Sequence, residues 1–193
     1  MKKDIILAGV GGQGILSIAA TIGTAAIDLD LQLKQAEVHG MSQRGGDVQS
    51  HLRLSSNQIA SDLIPEGKAD LIISIEPMES LRYLPMLSKD GWIIANTQPF
   101  INIPNYPDLD RIIEKIKSIP NHIAINADEI AKEIGSERSA NMVILGASAP
   151  FLDIEISTLE KAIQTIFKGK GEEVVQLNLK AFKAGLDFSL SNK

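Results

Sequence analysis

Short apolar runs bounded by turn residues alternate along this chain with stretches of helical period. Ile5-Ile6-Leu7-Ala8 follows Lys2-Lys3-Asp4, and this predicts a buried strand over 4–9. A glycine-rich turn, Gly9-Val10-Gly11-Gly12-Gln13-Gly14, opens a helix over 14–29 made of small and aliphatic residues. Leu31 to Val38 predicts a second strand. Val48-Gln49-Ser50-His51-Leu52-Arg53-Leu54 alternates apolar and polar positions, the pattern of a half-buried strand. Ser55-Ser56-Asn57-Gln58 reads as a turn into a short run at Ile59–Leu63, which predicts a hairpin and a mixed sheet. Asp70-Leu71-Ile72-Ile73-Ser74-Ile75 predicts another buried strand, and Pro77 suits the first turn of a helix running to about Leu87. Asp90-Gly91 then turns the chain into a strand over Trp92–Asn96.

Residues 97–108 hold Pro99, Pro104 and Pro107 and predict an irregular connection. A short amphipathic helix follows at 109–119, a strand at 122–126, and a helix over 127–134 ended by Gly135. The remainder is helical in pattern at 138–149, 157–167 and about 171–188. No internal repeat, low-complexity tract or flexible linker interrupts the succession, so residues 1–193 are expected to form a single domain. The fold class is α/β: a three-layer α/β/α sandwich with a mixed, mostly parallel sheet and a helical C-terminal third.

Composition narrows the function. Aromatic residues make up only 4% of the chain, so the core rests on Ile, Leu, Val and Ala. Nineteen Lys and Arg against twenty-four Asp and Glu give a net charge of −5, which argues against general nucleic-acid binding. There is no cysteine, which excludes disulfides, thiolate zinc sites, a Cys nucleophile and a cysteine-ligated iron–sulfur cluster within this chain. The first residues do not read as a signal peptide, and no apolar run approaches the roughly 18 residues of a membrane span, so a cytoplasmic location without membrane contact is expected.

A strand that ends in a glycine-rich turn opening a helix aims several backbone N–H groups at one spot, where the helix dipole also favours an anion. Gly9, Gly11 and Gly14 fit the G-x-G-x-x-G spacing of dinucleotide-binding folds. Any tight βα turn favours glycine, so a bound phosphate and a purely structural turn both stand at this point. The second segment is more specific: His39-Gly40-Met41-Ser42-Gln43-Arg44-Gly45-Gly46 mixes glycines with His, Ser, Gln and Arg, which suits a loop meeting a ligand or a subunit. Arg44 suits a bidentate hold on phosphate or carboxylate, and a solvated loop with Arg44 paired to a nearby acid is the bland alternative. His39 is a candidate proton carrier or ligand contact, whereas His51 and His122 read as structural. Glu76 and Glu79 read as an acidic helix start favoured by the dipole, and Met78 and Met86 as core filling. No histidine pair shows metal-ligand spacing with a carboxylate, and no metal is expected in this chain.

These loops, with Ile64-Pro65-Glu66-Gly67-Lys68-Ala69-Asp70 and Glu76-Pro77-Met78-Glu79 after them, resemble the gamma subunit or domain of the 2-oxoacid:ferredoxin oxidoreductases. Within that family the chain is most similar to the small (beta) subunits of indolepyruvate ferredoxin oxidoreductases, which have about this length. The resemblance covers nearly the whole chain, most densely between residues 4 and 96. It implies oxidative decarboxylation of an aryl 2-oxoacid to an acyl-CoA, with electrons passed to ferredoxin. It also implies a hetero-oligomer in which thiamine diphosphate, magnesium and 4Fe–4S clusters sit on a larger partner subunit. The absence of cysteine agrees, as does the lack of the glycine-aspartate-glycine stretch with a downstream asparagine pair that thiamine sites use for magnesium. By the same resemblance Gly11, Gly12, Gln13 and Gly14 contact a coenzyme A phosphate. Ser42, Gln43, Arg44, Gly45 and Gly46 line the active-site mouth or the partner interface. No catalytic residue is assigned to this chain. Arg44→Ala should weaken coenzyme A use or assembly; unchanged assembly and unchanged coenzyme A kinetics would remove that assignment.

Two other readings compete. A stand-alone NAD(P)-binding, Rossmann-like oxidoreductase draws on Glu37, which lies roughly where a ribose-binding acid follows the glycine motif. Tight NAD binding by the isolated chain would favour it. A non-catalytic assembly subunit would be favoured by full activity of the large subunit without this chain.

Overall fold

The computed structural model describes residues 1–39 and 45–193, with the His39 side chain also outside the description. The strands are β1 (Lys2–Val10), β2 (Gln32–His39), β3 (Asp47–Ser55), β4 (Ala69–Ser74), β5 (Leu87–Asn96) and β6 (His122–Ile125). The helices are α1 (Ile15–Asp28), α2 (Pro77–Arg82), α3 (Leu109–Lys117), α4 (Ala127–Glu133), α5 (Ala140–Ser148), α6 (Ile156–Phe167) and α7 (Glu172–Asn192). The six strands form one sheet in the order β2-β3-β1-β4-β5-β6. β1, β4, β5 and β6 are parallel neighbours, and β3 runs antiparallel to both β1 and β2.

Alternation along the strands sorts their side chains into two apolar faces. Ile5, Leu7, Leu71, Ile73, Ile94, Ile123 and Ile125 face α1, α5, α6 and α7 in the main core. Ile6, Ala69, Ile72, Ile93 and Ala95 face the other way, toward Ile64, Tyr83 and Met86 and toward Ile112 and Ile116 of α3. Burial on both faces is why β1 reads as a continuous apolar run. The expected three-layer α/β/α sandwich with a mixed, mostly parallel sheet and a helical last third is the observed architecture.

Three local expectations change. The hairpin partner of β3 is β2, in register from Gln32 opposite Ser55 to His39 opposite Val48, and residues 59–63 form no strand. β3 already has β1 on its other side, so no edge is left for them. They cover the second face instead: the Arg53 guanidinium donates to the carbonyls of Ser61 and Leu63, both at 3.0 Å. The helix after Pro77 stops at Arg82, and a 3-10 turn at Leu84–Met86 follows it, because Pro85 cannot supply the N–H a longer helix needs. Asp90-Gly91 lies inside β5, where the pairing to β4 shifts register. A Cβ on Gly91 would come within 2.9 Å of the Ala69 carbonyl oxygen, so this bulge needs glycine for close approach.

In the helical third, α5 and α7 cross almost in backbone contact. A Cβ on Gly146 would lie 1.8 Å from the Phe182 carbonyl oxygen, and one on Gly185 would lie 1.9 Å from that of Val143. Among the described residues no helix is long and apolar enough to cross a membrane.

Candidate functional site

The site lies at the carboxyl ends of β1, β4 and β5. α1 leaves β1 on one face of the sheet and α2 leaves β4 on the other, the strand-end position at which open α/β sheets bind ligands. The glycine turn lies there. Gly12 and Gly14 have φ of 102° and 86°, a region open to glycine but strained for other residues. The Val10 N–H donates to Gln13 Oε1 at 2.8 Å and the Gln13 N–H to the Val10 carbonyl at 3.2 Å, which closes the turn. Gln13 also reaches the Ile75 carbonyl through Nε2 at 3.5 Å, tying the turn to the end of β4. Gly14 caps α1 without a side-chain acceptor. Among the described residues, the amides of Gly12, Gly14, Ile15 and Leu16 meet no acceptor.

Beside the turn is a cleft of about 430 Å³, lined by Gly12, Gln13, Gly14 and Ser17 together with Arg138 and Lys170. Asn141 sits at its base, donating from Nδ2 to the Gly14 carbonyl at 3.2 Å and accepting from the Met142 N–H at 3.0 Å. Two cations and a set of open amides around one cavity suit a phosphate-bearing ligand. Arg138, Asn141 and Lys170 were not singled out in the sequence. The dense Lys168-Gly169-Lys170-Gly171 stretch was a signal, but only the fold brings it beside a turn more than a hundred residues earlier.

Of the second loop, Ser42, Gln43 and Arg44 lie outside the described residues. Gly45 and Gly46 are placed against the turn, where the Gly46 carbonyl accepts from the Gly11 N–H at 2.8 Å. Gly45, with φ of 79°, offers its carbonyl to Asn102 Nδ2 from the 97–108 segment.

Glu76 does more than start a helix. It is fully buried, accepting from the Glu79 N–H at 2.9 Å, the Phe100 N–H at 3.4 Å and the Tyr106 hydroxyl at 2.5 Å. Burial and this carboxylate push the Tyr106 hydroxyl well above its ordinary range, so it stays a donor. Burial also raises Glu79, against the pull of Arg82, whose Nε lies 2.6 Å from its carboxylate. Tyr83 is pushed up to about 12, by burial first and then by Asp47. Asn96, at the end of β5, donates to Asp128 at 2.7 Å and to the Ile75 carbonyl at 3.1 Å, and accepts from the Ala127 N–H at 3.1 Å.

The histidines behave structurally where they are described. His51 Nδ1 accepts from the Ile64 N–H at 3.0 Å, and burial lowers its pKa, so the neutral ring carries its proton on Nε2. That proton requires the Gln49 amide, 2.9 Å away, to present its oxygen. His122 Nδ1 donates to the Ile119 carbonyl at 2.7 Å. Among the described residues, no three or more His, Cys, Asp or Glu are placed to hold a metal ion. Glu37 lies on β2, separated from β1 by the whole of β3, so it does not stand beside the turn as a ribose-binding acid must.

Residues 4–188 match the family described as pyruvate ferredoxin/flavodoxin oxidoreductase. The chain belongs to that family. It is 40% identical to the indolepyruvate oxidoreductase subunit IorB of Archaeoglobus fulgidus, covering all of this chain and 98% of that one. Its fold is similar to that of the keto/oxoacid ferredoxin oxidoreductase gamma subunit from Geobacter sulfurreducens (TM-score 0.71, 25% identity, 98% of this chain and 99% of that one). It is also similar to part of the 2-oxoglutarate:ferredoxin oxidoreductase from Magnetococcus marinus, a structure with 2-oxoglutarate, coenzyme A and succinyl-CoA bound (TM-score 0.78, 26% identity). That match takes in 98% of this chain but only 31% of the other. The same unit thus occurs both as a separate subunit and within a longer polypeptide. This chain is the small-subunit form, a gamma-type subunit of a 2-oxoacid:ferredoxin oxidoreductase.

Proposed function

We propose that residues 1–193 act as one gamma-type domain that holds the phosphates of coenzyme A for an indolepyruvate:ferredoxin oxidoreductase. The observation that carries the reading is the cleft that Gly12, Gln13 and Gly14 of the glycine turn line together with Arg138 and Lys170. The full-length likeness to an indolepyruvate oxidoreductase subunit supports the aryl 2-oxoacid as substrate, and the coenzyme A in the Magnetococcus structure supports the co-substrate.

In this reading the enzyme decarboxylates and oxidises an aryl 2-oxoacid, transfers the acyl group to the coenzyme A thiol and passes the electrons to ferredoxin. Thiamine diphosphate with magnesium and 4Fe–4S clusters supply the carbanion and electron-transfer chemistry. This chain's donor set does not fit those groups: it has no cysteine, and its described carboxylates and histidines do not converge. They belong on a larger partner subunit in the cytoplasm.

The residues of this chain bind and orient. The amides of Gly12, Gly14, Ile15 and Leu16 donate to phosphate oxygens at the positive end of α1, and Arg138 and Lys170 neutralise the remaining charge. Gln13 holds the turn in shape. Ser42, Gln43 and Arg44, with Gly45 and Gly46, line the mouth toward the partner. Exposed Phe100 and Ile101 on the same edge give the partner an apolar surface to cover.

Titration of the assembled enzyme with coenzyme A and with pantetheine, which lacks the nucleotide phosphates, tests this. Arg138→Ala and Lys170→Ala should each weaken coenzyme A by about tenfold, the worth of one charge-assisted contact, and leave pantetheine unchanged. Unaltered coenzyme A affinity in both variants removes the assignment.

A further inference from the structure

From Thr97 to Pro107 the chain carries no charged side chain, although charged residues make up 22% of the whole. The segment has no regular secondary structure and lies along the carboxyl edge of the sheet. Its base is fixed by the Thr97 N–H on the Ile125 carbonyl at 2.9 Å. Gln98 then bonds the Asn96 side chain, and beyond Gln98 the described hydrogen bonds run to two places. The Phe100 N–H and the Tyr106 hydroxyl go to Glu76 Oε1, and the Asn102 side chain goes to the Gly45 carbonyl.

We propose that Glu76 and Tyr106 are positioning residues for the coenzyme site, acting through this segment. Holding it at both ends sets Asn102 against Gly45, and Gly46 then presents its carbonyl to the Gly11 N–H at 2.8 Å. The inference rests on the reading of the glycine turn as a coenzyme A contact.

Capping alone does not account for Glu76. A helix start is served by an exposed short polar side chain. Here a carboxylate is taken fully out of water with no cation among its described partners, an arrangement tolerated only where its lone pairs are hydrogen-bonded. One oxygen caps α2 through Glu79, and the other is given entirely to the 97–107 segment. The neighbouring Ile75 carbonyl receives Gln13 Nε2, so the same corner also braces the far side of the turn.

The chemistry served is the fit of a phosphate-bearing ligand against the glycine turn. Its amides are useful only at hydrogen-bond distance, and a turn displaced by an ångström loses that contact. The loss should therefore appear in coenzyme A binding rather than in the chemical step.

Two variants break the path at different points. Tyr106→Phe removes one hydroxyl and keeps the ring; Asn102→Ala cuts the exposed tip from Gly45. In the assembled enzyme each should raise the coenzyme A KM by about tenfold and leave kcat within about twofold. In the isolated chain, amide hydrogen exchange at Val10, Gly11 and Gln13 should accelerate at least tenfold while exchange in β4 is unchanged. A lower Tm with coenzyme A KM and exchange at these three amides as in the wild type would mean a merely structural role and overturn the proposal. If the unaltered enzyme shows no coenzyme A affinity at this cleft, the underlying reading fails. The exchange data then still decide whether Tyr106 and Asn102 hold the turn.

Discussion

Alanine at Gly14 probes the glycine turn from two sides. At a φ of 86° a Cβ costs about 1–2 kcal/mol through contact with its own backbone. That Cβ would also lie 2.6 Å from Asn141 Nδ2, so the asparagine must swing away and give up its 3.2 Å hydrogen bond to the Gly14 carbonyl. The lost bond adds about 1 kcal/mol. The total of about 2–3 kcal/mol corresponds to a fall in Tm of about 5–10 °C for a chain of this size. Thermal unfolding of Gly14→Ala, Asn141→Ala and the double variant separates the parts. Asn141→Ala loses the same bond and removes the clash, so the double variant should be more stable than additivity predicts by about 1 kcal/mol. Gly12→Ala is the contrasting case: its φ is 102°, but nothing lies within 4 Å of the added Cβ. It should cost only the backbone term, about 1–2 kcal/mol, while the methyl enters the cleft and weakens coenzyme A by tenfold or more. A Gly14→Ala protein as stable as the wild type, an additive cycle, or Gly12→Ala with normal coenzyme A affinity would refute the reasoning.

Asp4 carries a pH prediction. Burial alone would raise its pKa, but Arg53 and Lys2, each 2.7 Å away, outweigh burial and hold the carboxyl below 3.8. Because the folded value lies below the unfolded one, the pair's contribution is present above pH 3.8 and lost as pH falls through the folded value. Asp4→Asn, which leaves Arg53 without its carboxylate partner but with the Ser61 and Leu63 carbonyls, should cost about 1–3 kcal/mol in urea unfolding at pH 7, and the loss should shrink as pH falls below 3.8. Gly185→Ala should separate α5 from α7, since its Cβ would sit 1.9 Å from the Val143 carbonyl oxygen; a loss of about 3 kcal/mol or more is expected by calorimetry. Ile101→Asp, at a residue 71% exposed, should leave Tm unchanged and weaken association with the larger subunit at least tenfold in sedimentation velocity.

The α/β class was legible because buried parallel strands must be apolar on both faces, and Ile5–Ala8 and Leu71–Ile73 show this directly. The pairing of β3 was not legible. Alternation at 48–54 announces a strand, but which segment takes its edge depends on β1 and β2 competing for the same backbone groups. Asp90-Gly91 misled because a glycine that permits close approach in a bulge looks, in sequence, like a glycine that permits a turn. At the site, Gly11–Gly14 could be read because glycine spacing encodes backbone conformation. Arg138 and Lys170 could not, since their approach follows from how α5 and α7 pack. Glu76 was read as a helix-start acid; its burial and its hold on Tyr106 exist only once the 97–108 segment is seated.

Ferredoxin reduction by the purified larger subunit, with and without this chain, is the most direct measurement, assayed over a panel of 2-oxoacids with and without coenzyme A. Reduction should require both chains, prefer indolepyruvate and saturate with coenzyme A. Full coenzyme-A-dependent activity from the larger subunit alone would contradict that requirement.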